Sequence, residues 1–174
     1  KEYAEVIGMT LKDTAYKASV DLAKERGVFP GYSDRIVESD FIRRMPNNLI
    51  DAIKKFGLRN VNLLTVAPVG TGSFSVGNNC SSGIEPIFSL QYNRNIRTGN
   101  GEETQKETVM DYAWQLYTEK YGKDAKRPDY FITTLELDVK AGIEIQGIMQ
   151  NYIDASISKT ANLPLDYSFE QYKG

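Results

Sequence analysis

The sequence predicts an α/β fold, and three observations support this prediction. An apolar run rich in branched side chains, residues 61–66, is typical of a strand that is buried on both faces. Segments before and after it carry apolar residues at three- and four-residue spacings, which indicates helices. Pro68 and a glycine-rich loop follow the strand directly, as expected where a strand leads into a helix. A chain of 174 residues is long enough for one domain with a real core.

The N-terminal third is predicted to be helical. Residues 10–26 form the first predicted helix, and Gly27 is expected to end it. Ser33 or Asp34 is a candidate cap for a short helix, and a third helix over residues 49–56 should close at the glycine that follows. All three are expected to form an outer packing layer. The face of the first helix that we expect to be buried carries Leu11, Ala15, Ala18 and Leu22.

The second half of the chain is predicted to alternate strands with helices. Residues 87–97 are typical of a strand or hairpin arm. The polar, glycine-containing residues 98–104 favour solvent and are the best candidate for a mobile loop. A long helix is expected over residues 104–121, and another from Asp138 to about residue 155. A short strand and the start of a last helix complete the prediction, at residues 157–163 and 168–170.

Composition and charge exclude several classes of function. The chain has 21 basic and 23 acidic residues, a formal net charge of −2 and no basic tract, which disfavours nucleic-acid binding. No apolar run is long enough to span a membrane and no signal-peptide pattern occurs, so we expect a soluble, cytoplasmic protein. The single cysteine excludes an internal disulfide bond, and the absence of histidine removes the commonest metal ligand and general base. No metal site is therefore predicted.

The glycine- and hydroxyl-rich loop after the predicted central strand is the first candidate binding site. Its small residues allow backbone amides to approach a bound group, and a helix beginning near Ser73 would favour an anion there. The loop lacks the Gly-Lys-Thr ending of nucleotide-triphosphatase loops, which favours binding over phosphoryl transfer. A plain glycine turn is the alternative. The candidate phosphate-binding residues are Pro68, Val69, Gly70, Thr71, Gly72 and Ser73.

Four separated segments carry a family resemblance. They are TVAPVGTGSFS, SSGIEPIF, the pair RPDYF and ELD within residues 127–138, and SISKTANLP at residues 156–164. The first resembles the substrate-phosphate loop of the ribonucleotide reductase large subunit, and the second resembles the Gly-Ile-Glu-Pro segment of that family. The adenosylcobalamin-dependent class II enzymes are the most similar. The order and spacing of the segments imply a partial α/β barrel, the C-terminal half of the ten-stranded catalytic barrel, over residues 1–174 as a single domain or fragment.

The resemblance also implies an activity. The parent enzyme would replace the ribose 2′-hydroxyl of a ribonucleotide by hydrogen through radical chemistry, while two thiols are oxidised to a disulfide. Adenosylcobalamin would supply the radical and bind largely outside this segment. The implied partners are a ribonucleotide substrate, the remainder of the reductase chain and a thioredoxin-like reductant; a homodimer through unpaired strand edges is a further expectation. The residues alone leave open a non-catalytic nucleotide- or phosphate-binding module.

Cys80 is not expected to carry the radical. The sequence Asn-Asn-Cys-Ser-Ser matches only the first half of the family's radical-bearing Asn-x-Cys-x-Glu loop, because Ser82 replaces the carboxylate. The family's radical loop also precedes the phosphate loop, whereas Cys80 follows it. The reaction needs a radical cysteine and a separate reducing pair, so this chain is expected to hold no catalytic residue and to be inactive alone.

Two further residues are expected to support the phosphate cradle, Ser82 and Glu85. The Glu85 carboxylate could hydrogen-bond loop amides, with an ordinary turn residue as the alternative. Val69 stands where the family usually has a hydroxyl residue, so one side-chain contact to phosphate would be missing here. Lys159 is too isolated in the sequence to be assigned a role.

Overall fold

The computed structural model describes residues 1–70, 72–73, 81, 83–97, 104–163 and 165–173. The chain divides into two compact units. The first consists of residues 1–67 and 143–157, and the second of residues 68–142 and 158–174. The second unit therefore interrupts the first in sequence.

The first unit is mainly helical. Its helices are α1 (Glu2–Arg26), a 3-10 helix (Asp34–Glu38), α2 (Asp40–Arg43) and α3 (Asn47–Phe56). Gly27 and Gly57 follow α1 and α3 with φ angles of 76° and 73°, a region that glycine adopts without a Cβ clash. Ser33 caps the 3-10 helix by accepting a hydrogen bond from the amide of Arg35 at 3.3 Å. These helix ends confirm the predicted ones.

An apolar core holds the first unit together. Ile53 and Leu58 are both 0% exposed, and side chains from α1, α2 and α3 surround them. Burying side chains of this size contributes about 1.5–3 kcal/mol each. The buried cluster consists of Tyr16, Val20, Ile42, Met45, Leu49, Ile53 and Leu58.

The buried face of α1 differs from the predicted face. Leu11 and Ala18 are exposed, so that prediction is wrong. The residues that are buried instead are Gly8, Lys12, Tyr16, Ser19, Val20 and Ala23. Lys12 could not be recognised as buried from its charge, since its long side chain lies inward and its ammonium group is 3.7 Å from the Asp13 carboxylate. The same ammonium group lies 5.4 Å from the ring centroid of Tyr152.

Residues 61–66 do not form the predicted buried strand. Val66 makes one isolated parallel bridge with Ile157, and Val61 is exposed. The predicted strand over residues 157–163 is likewise limited to this bridge in the described part of the chain. The apolar run is extended, but among the described residues it pairs only around the bridge between Val66 and Ile157. A ladder of strand hydrogen bonds therefore does not develop.

Asp154 anchors this extended segment. Its carboxylate accepts hydrogen bonds from the amides of Leu63 and Leu64 at 2.9 and 2.7 Å, and from the Tyr16 hydroxyl at 2.9 Å. Burial raises the pKa of Tyr16 above its usual range, and the hydrogen bond and charge of Asp154 raise it further. The carboxylate thereby ties residues 63–64 to α1.

The second unit contains a β-hairpin. Strands β1 (Gln91–Arg97) and β2 (Thr104–Met110) are antiparallel, with Gln91 opposite Met110 and Arg97 opposite Thr104. The helix predicted over residues 104–121 is wrong in its first part, because these residues pair with β1. Helix α4 begins only at Tyr112 and runs over Tyr112–Tyr121.

Polar residues and glycine set the ends of the remaining helices. Asp111 caps α4 by accepting a hydrogen bond from the amide of Trp114 at 2.9 Å, and Gly122 follows its last residue. Helix α5 (Val139–Gln150) begins after Asp138, as predicted, and ends earlier than residue 155. Helix α6 is Phe169–Lys173 and confirms the predicted last helix.

Some predictions lie outside the described residues or are tested only in part. The loop predicted over residues 98–104 falls outside them except for Thr104, which begins β2. Within the described residues the structure has helices and a two-stranded sheet, an arrangement that neither confirms nor contradicts a partial barrel. None of the described helices has both the length and the apolar character needed to cross a membrane.

Candidate functional site

The glycine-rich loop is the start of a helical turn. Gly70, Gly72 and Ser73 have helical backbone, and the amide of Ser73 donates to the carbonyl oxygen of Val69 at 2.8 Å. The Ser73 hydroxyl donates to the carbonyl oxygen of Gly70, also at 2.8 Å. Ser73 is buried, and both of its donors are used within the loop. Ser73 therefore stabilises the turn and offers no donor outward.

The two glycines of the turn are accessible. Pro68, Val69, Gly70 and Gly72 are all exposed. A Cβ atom added at Gly70 would meet nothing within 4 Å, and one added at Gly72 would meet only Val69, at 3.6 Å. Neither glycine is needed to avoid a clash within the protein. Thr71 lies outside the described residues.

The Gly-Ile-Glu-Pro segment is folded on itself by Ser81. The Ser81 hydroxyl lies 3.1 Å from the carbonyl oxygen of Gly83, and it also hydrogen-bonds the carbonyl oxygen of Glu85. It accepts a further bond from the amide of Gly83 at 3.4 Å. Short hydroxyl side chains close turns in this way by bonding the nearby backbone. Ser82, the predicted supporting residue, lies outside the described residues.

Glu85 meets a second segment at Lys159 and Thr160. Its Oε1 atom accepts a hydrogen bond from the amide of Thr160 and lies 3.6 Å from the Nζ atom of Lys159. The Lys159 ammonium group also donates to the carbonyl oxygen of Thr160. The side chains of Lys159 and Glu85 are 11% and 20% exposed, so the pair is shielded from solvent more than a surface ion pair. We call these three residues the Glu85 clasp.

The surroundings keep Glu85 ionised. Burial alone would raise the pKa of its carboxyl group, but hydrogen bonds from the amides of Thr160 and Glu85 and the charge of Lys159 outweigh burial. The net result is a pKa below the ordinary value. The carboxylate therefore acts as a charged acceptor that holds the chain at Thr160.

Gly142 leaves room for the lysine of the clasp. A Cβ atom added at Gly142 would lie 3.1 Å from Cε and 3.3 Å from Nζ of Lys159. The lysine side chain thus passes over the first turn of α5 at a glycine. A cleft lies beside the clasp, lined by Glu85, Pro86, Thr134, Leu137, Val139, Lys159, Thr160, Ala161 and Asn162.

The segment that begins Arg-Pro-Asp-Tyr-Phe is joined to the same region. The Thr134 hydroxyl donates to the carbonyl oxygen of Pro86 at 2.6 Å, and the Thr134 amide donates to that of Ile87 at 2.8 Å. Arg127 binds both carboxylate oxygens of Glu136, at 2.7 and 3.2 Å. The hydrogen bond from Arg127, with those from Thr133, lowers the pKa of Glu136 to about 2.

The structure brings together three of the four segments that carry the family resemblance. Glu85, Leu137 and Lys159 belong to different segments and all line the cleft. Among the described residues, none of the loop 68–73 lines it. Lys159 was missed by sequence reasoning, because a lone lysine shows its role only when its carboxylate partner is known. Its place in the segment SISKTANLP was the available signal.

The described residues contain no group of three or more histidine, cysteine, aspartate or glutamate side chains that could hold a metal ion. Cys80 lies outside the described residues. Around the cleft, the polar groups of the described residues position the backbone: Glu85 holds the chain at Thr160, and Thr134 holds it at Pro86.

Comparison with known proteins identifies the family. The family described as "Ribonucleotide reductase, barrel domain" matches residues 1–173. The chain therefore belongs to the ribonucleotide reductase barrel-domain family.

Individual relatives agree with this assignment. The vitamin B12-dependent ribonucleoside-diphosphate reductase of Thermoplasma acidophilum is 30% identical over 97% of this chain, and that of Mycobacterium tuberculosis is 28% identical over 88%. The ribonucleoside-diphosphate reductase large chain of Neurospora crassa is 36% identical over 52% of the chain. The chain spans 22% of the length of the first two relatives and 11% of the third.

Proposed function

We propose that this chain is part of the catalytic barrel of a ribonucleotide reductase, an enzyme that converts ribonucleotides to deoxyribonucleotides by radical chemistry. The family match over residues 1–173 supports this proposal, and so do two relatives named ribonucleoside-diphosphate reductase that match most of the chain. Because the chain spans 22% of those relatives, the activity belongs to the parent protein. Within the barrel, the chain would form the C-terminal half.

We infer further that residues 68–73 bind the phosphates of the substrate. The observation that carries this inference is the hydrogen bond from the Ser73 amide to the Val69 carbonyl. This bond runs from residue i to residue i−4, as in an α-helix. Gly70 and Gly72 precede Ser73 in the helical turn, so their amides belong to its first residues. Amides in that position have no intrahelical acceptor and are suited to an anion. The inferred donors are therefore these glycine amides, and Ser73 shapes the turn. Thr71, also predicted to bind phosphate, lies outside the described residues.

Glu85 has a supporting role in this proposal. Its carboxylate is bound to the Thr160 amide and paired with Lys159, so it does not contact an anionic phosphate directly. Instead it fixes the segment at residues 159–160 against the Gly-Ile-Glu-Pro segment. Both segments belong to the same unit as the phosphate loop.

Two relatives are named vitamin B12-dependent, which supports adenosylcobalamin as the cofactor of the parent enzyme. That cofactor would supply the radical when bound. The polar groups of the Glu85 clasp are paired with one another and do not fit a corrin, so we assign none of these residues to it. The single cysteine of the chain cannot serve as both radical carrier and reducing pair, so we expect this chain alone to be inactive.

A binding titration tests the phosphate loop. Gly70→Val places a side chain in front of the exposed backbone, and the open space there means that the protein itself should accept it. We expect ribonucleoside diphosphates to bind the unmodified chain, and Gly70→Val to weaken binding by at least about tenfold, the loss of about 1.4 kcal/mol. Isothermal titration calorimetry measures both.

Gly147→Val is the matched control. Gly147 is also helical, and a Cβ atom added there meets nothing within 4 Å. The control should bind as the unmodified chain does. Saturable binding that persists in Gly70→Val, or equal weakening in both variants, would refute the phosphate loop.

A further inference from the structure

One carboxylate holds the extended segment that leads into the phosphate loop. Asp154 accepts a hydrogen bond from the Leu63 amide on Oδ2 at 2.9 Å, and one from the Leu64 amide on Oδ1 at 2.7 Å. The next residue, Ala155, donates from its amide to the Leu64 carbonyl oxygen at 3.1 Å. Hydrogen bonds from amides to a carboxylate are stronger than those between neutral groups. Both carboxylate oxygens are therefore used to fix two successive peptide groups.

The pairing continues along the chain toward the loop. The Ser156 carbonyl oxygen accepts a hydrogen bond from the Val66 amide at 3.1 Å and another from the Thr65 hydroxyl at 2.7 Å. Pro68, the first residue of the phosphate loop, comes two residues after Val66 in the sequence. The loop therefore begins almost directly after a stretch of backbone whose course is fixed by hydrogen bonds.

Asp154 is itself held in place by its neighbours. Ile153 and Ile157, on either side of it in the sequence, are both buried, and so is Tyr16 of α1. The Tyr16 hydroxyl donates to Oδ2 of Asp154 at 2.9 Å. A side chain that is held by packing and by a hydrogen bond from a neighbouring element can set the position of the groups it binds. Asp154 is thus a rigid support for residues 63–66.

We propose that Asp154 is a positioning residue for the binding of substrate phosphate, acting through residues 63–66 on the loop at residues 68–73. This inference rests on the function proposed above for that loop. Asp154 does not contact the phosphates; the covalent chain carries its effect to the loop. Fixing the start of a loop before the ligand arrives reduces the conformational entropy that is lost on binding, and so increases affinity.

An asparagine cannot replace the aspartate in this role. Its side chain has the same shape, but it has one acceptor oxygen and an NH₂ group that only donates. Because Leu63 and Leu64 donate to different oxygens of Asp154, the NH₂ group would face one of these two amides. That amide would lose its acceptor. Asp154→Asn therefore disrupts the support while changing the packing very little.

The test uses the full-length parent reductase and two ligands, a ribonucleoside diphosphate and the same nucleoside without phosphates. Isothermal titration calorimetry measures the dissociation constant of the first, and displacement by the second gives the other. Asp154→Asn should weaken diphosphate binding by about fivefold, the effect of losing about one hydrogen bond. Nucleoside binding should stay unchanged, because the loop binds only the phosphates. The ratio of the two dissociation constants therefore reports the positioning role, whereas general destabilisation would weaken both ligands alike.

Two further variants keep the test decisive. Tyr16→Phe is the matched control: it keeps the ring in the core and leaves both amides bound to Asp154, so it should lower the melting temperature without changing the ratio. Thr65→Val removes the hydroxyl that donates to Ser156, at an exposed position where folding should be preserved. It should shift the ratio in the same direction as Asp154→Asn, and it decides the question if Asp154→Asn does not fold.

The outcomes separate this inference from the function on which it rests. An unchanged ratio in Asp154→Asn, or in Thr65→Val where the first variant does not fold, overturns the positioning role. An equal change of the ratio in Tyr16→Phe overturns it as well. Gly70→Val is measured alongside. A ratio that changes in Gly70→Val but not in Asp154→Asn refutes the positioning role alone, whereas a ratio that stays unchanged in Gly70→Val refutes the phosphate loop and this inference with it.

Discussion

The interactions that stabilise the first unit differ from those that stabilise the second. In the first unit, buried apolar side chains from α1, α2 and α3 form a continuous core. In the described part of the second unit, hydrogen bonds and ion pairs join several segments: the Glu85 clasp, the bond from Thr134 to Pro86, and the pairing of Arg127 with Glu136. The rings of Trp114 and Tyr117 also pack against Phe131 there. All of the large buried apolar residues that the structure describes belong to the first unit.

This difference separates the residues that form the apolar core from most of the segments that carry the family resemblance. The segments that resemble the site of a ribonucleotide reductase lie mostly in the second unit, where polar groups fix the course of the backbone. Burial of apolar area is worth more than a partly exposed ion pair, so we expect substitutions in the first unit to have the largest effect on stability.

The largest effect is expected for Ile53→Ala. Ile53 is 0% exposed, and its truncation leaves a cavity in the core, which should lower the free energy of unfolding by about 2–5 kcal/mol. Urea denaturation followed by far-ultraviolet circular dichroism measures this change. Ile143→Ala removes the same atoms from an exposed position and should change stability by less than about 0.5 kcal/mol. Similar losses in both variants would contradict an apolar core centred on Ile53.

A smaller effect is expected for Lys159→Met in the second unit. The substitution keeps the apolar stem but removes the ammonium group that pairs with Glu85, at a cost of about 1–3 kcal/mol. Fluorescence of Trp114, the single tryptophan and a residue of the second unit, reports urea unfolding there. Lys140→Met is the control, because Lys140 is exposed in the same unit. Equal midpoints for the two variants would mean that the clasp contributes nothing.

Lowering the pH tests the contribution of Glu85 to stability in a second way. The pKa of Glu85 in the folded chain is below its ordinary value of 4.5, so its ionised form stabilises the fold above that pH. This contribution is lost as the pH falls through the lowered pKa. Glu85→Gln should therefore have a smaller effect on stability in acid than at neutral pH.

The smallest effect on stability is expected at Glu136. This carboxylate is exposed, and solvent weakens the contribution of its pair with Arg127. Its titration should nevertheless be distinctive, because the pair lowers its pKa to about 2. Carbon-detected NMR should place the midpoint there, and Arg127→Gln should move it toward the ordinary value of 4.5. A midpoint near 4.5 in the unmodified chain would show that the pair is absent in solution.

Sequence patterns predicted the parts of the fold that depend on near neighbours. The ends of α1 and α3 at Gly27 and Gly57, and the cap at Ser33, were predicted because each signal acts within one helical turn. The first arm of the hairpin was predicted, within residues 87–97, but the second was not, since residues 104–110 become a strand only through pairing with β1. Glu85 was predicted to hydrogen-bond loop amides, and it accepts a hydrogen bond from the Thr160 amide, but its lysine partner was not predicted. The role of these residues at a phosphate site stays a prediction.

The sequence by itself determined the local stops and caps of the helices and the segments that resemble a reductase, because both are written in short runs of residues. Only the tertiary structure decided which side of α1 is buried and where Glu85 finds its partner. Thr160 is 75 residues from Glu85 along the chain, and no pattern of neighbours encodes such a contact. Contacts of that kind depend on how whole elements pack, and that packing buried Lys12 while leaving Leu11 exposed.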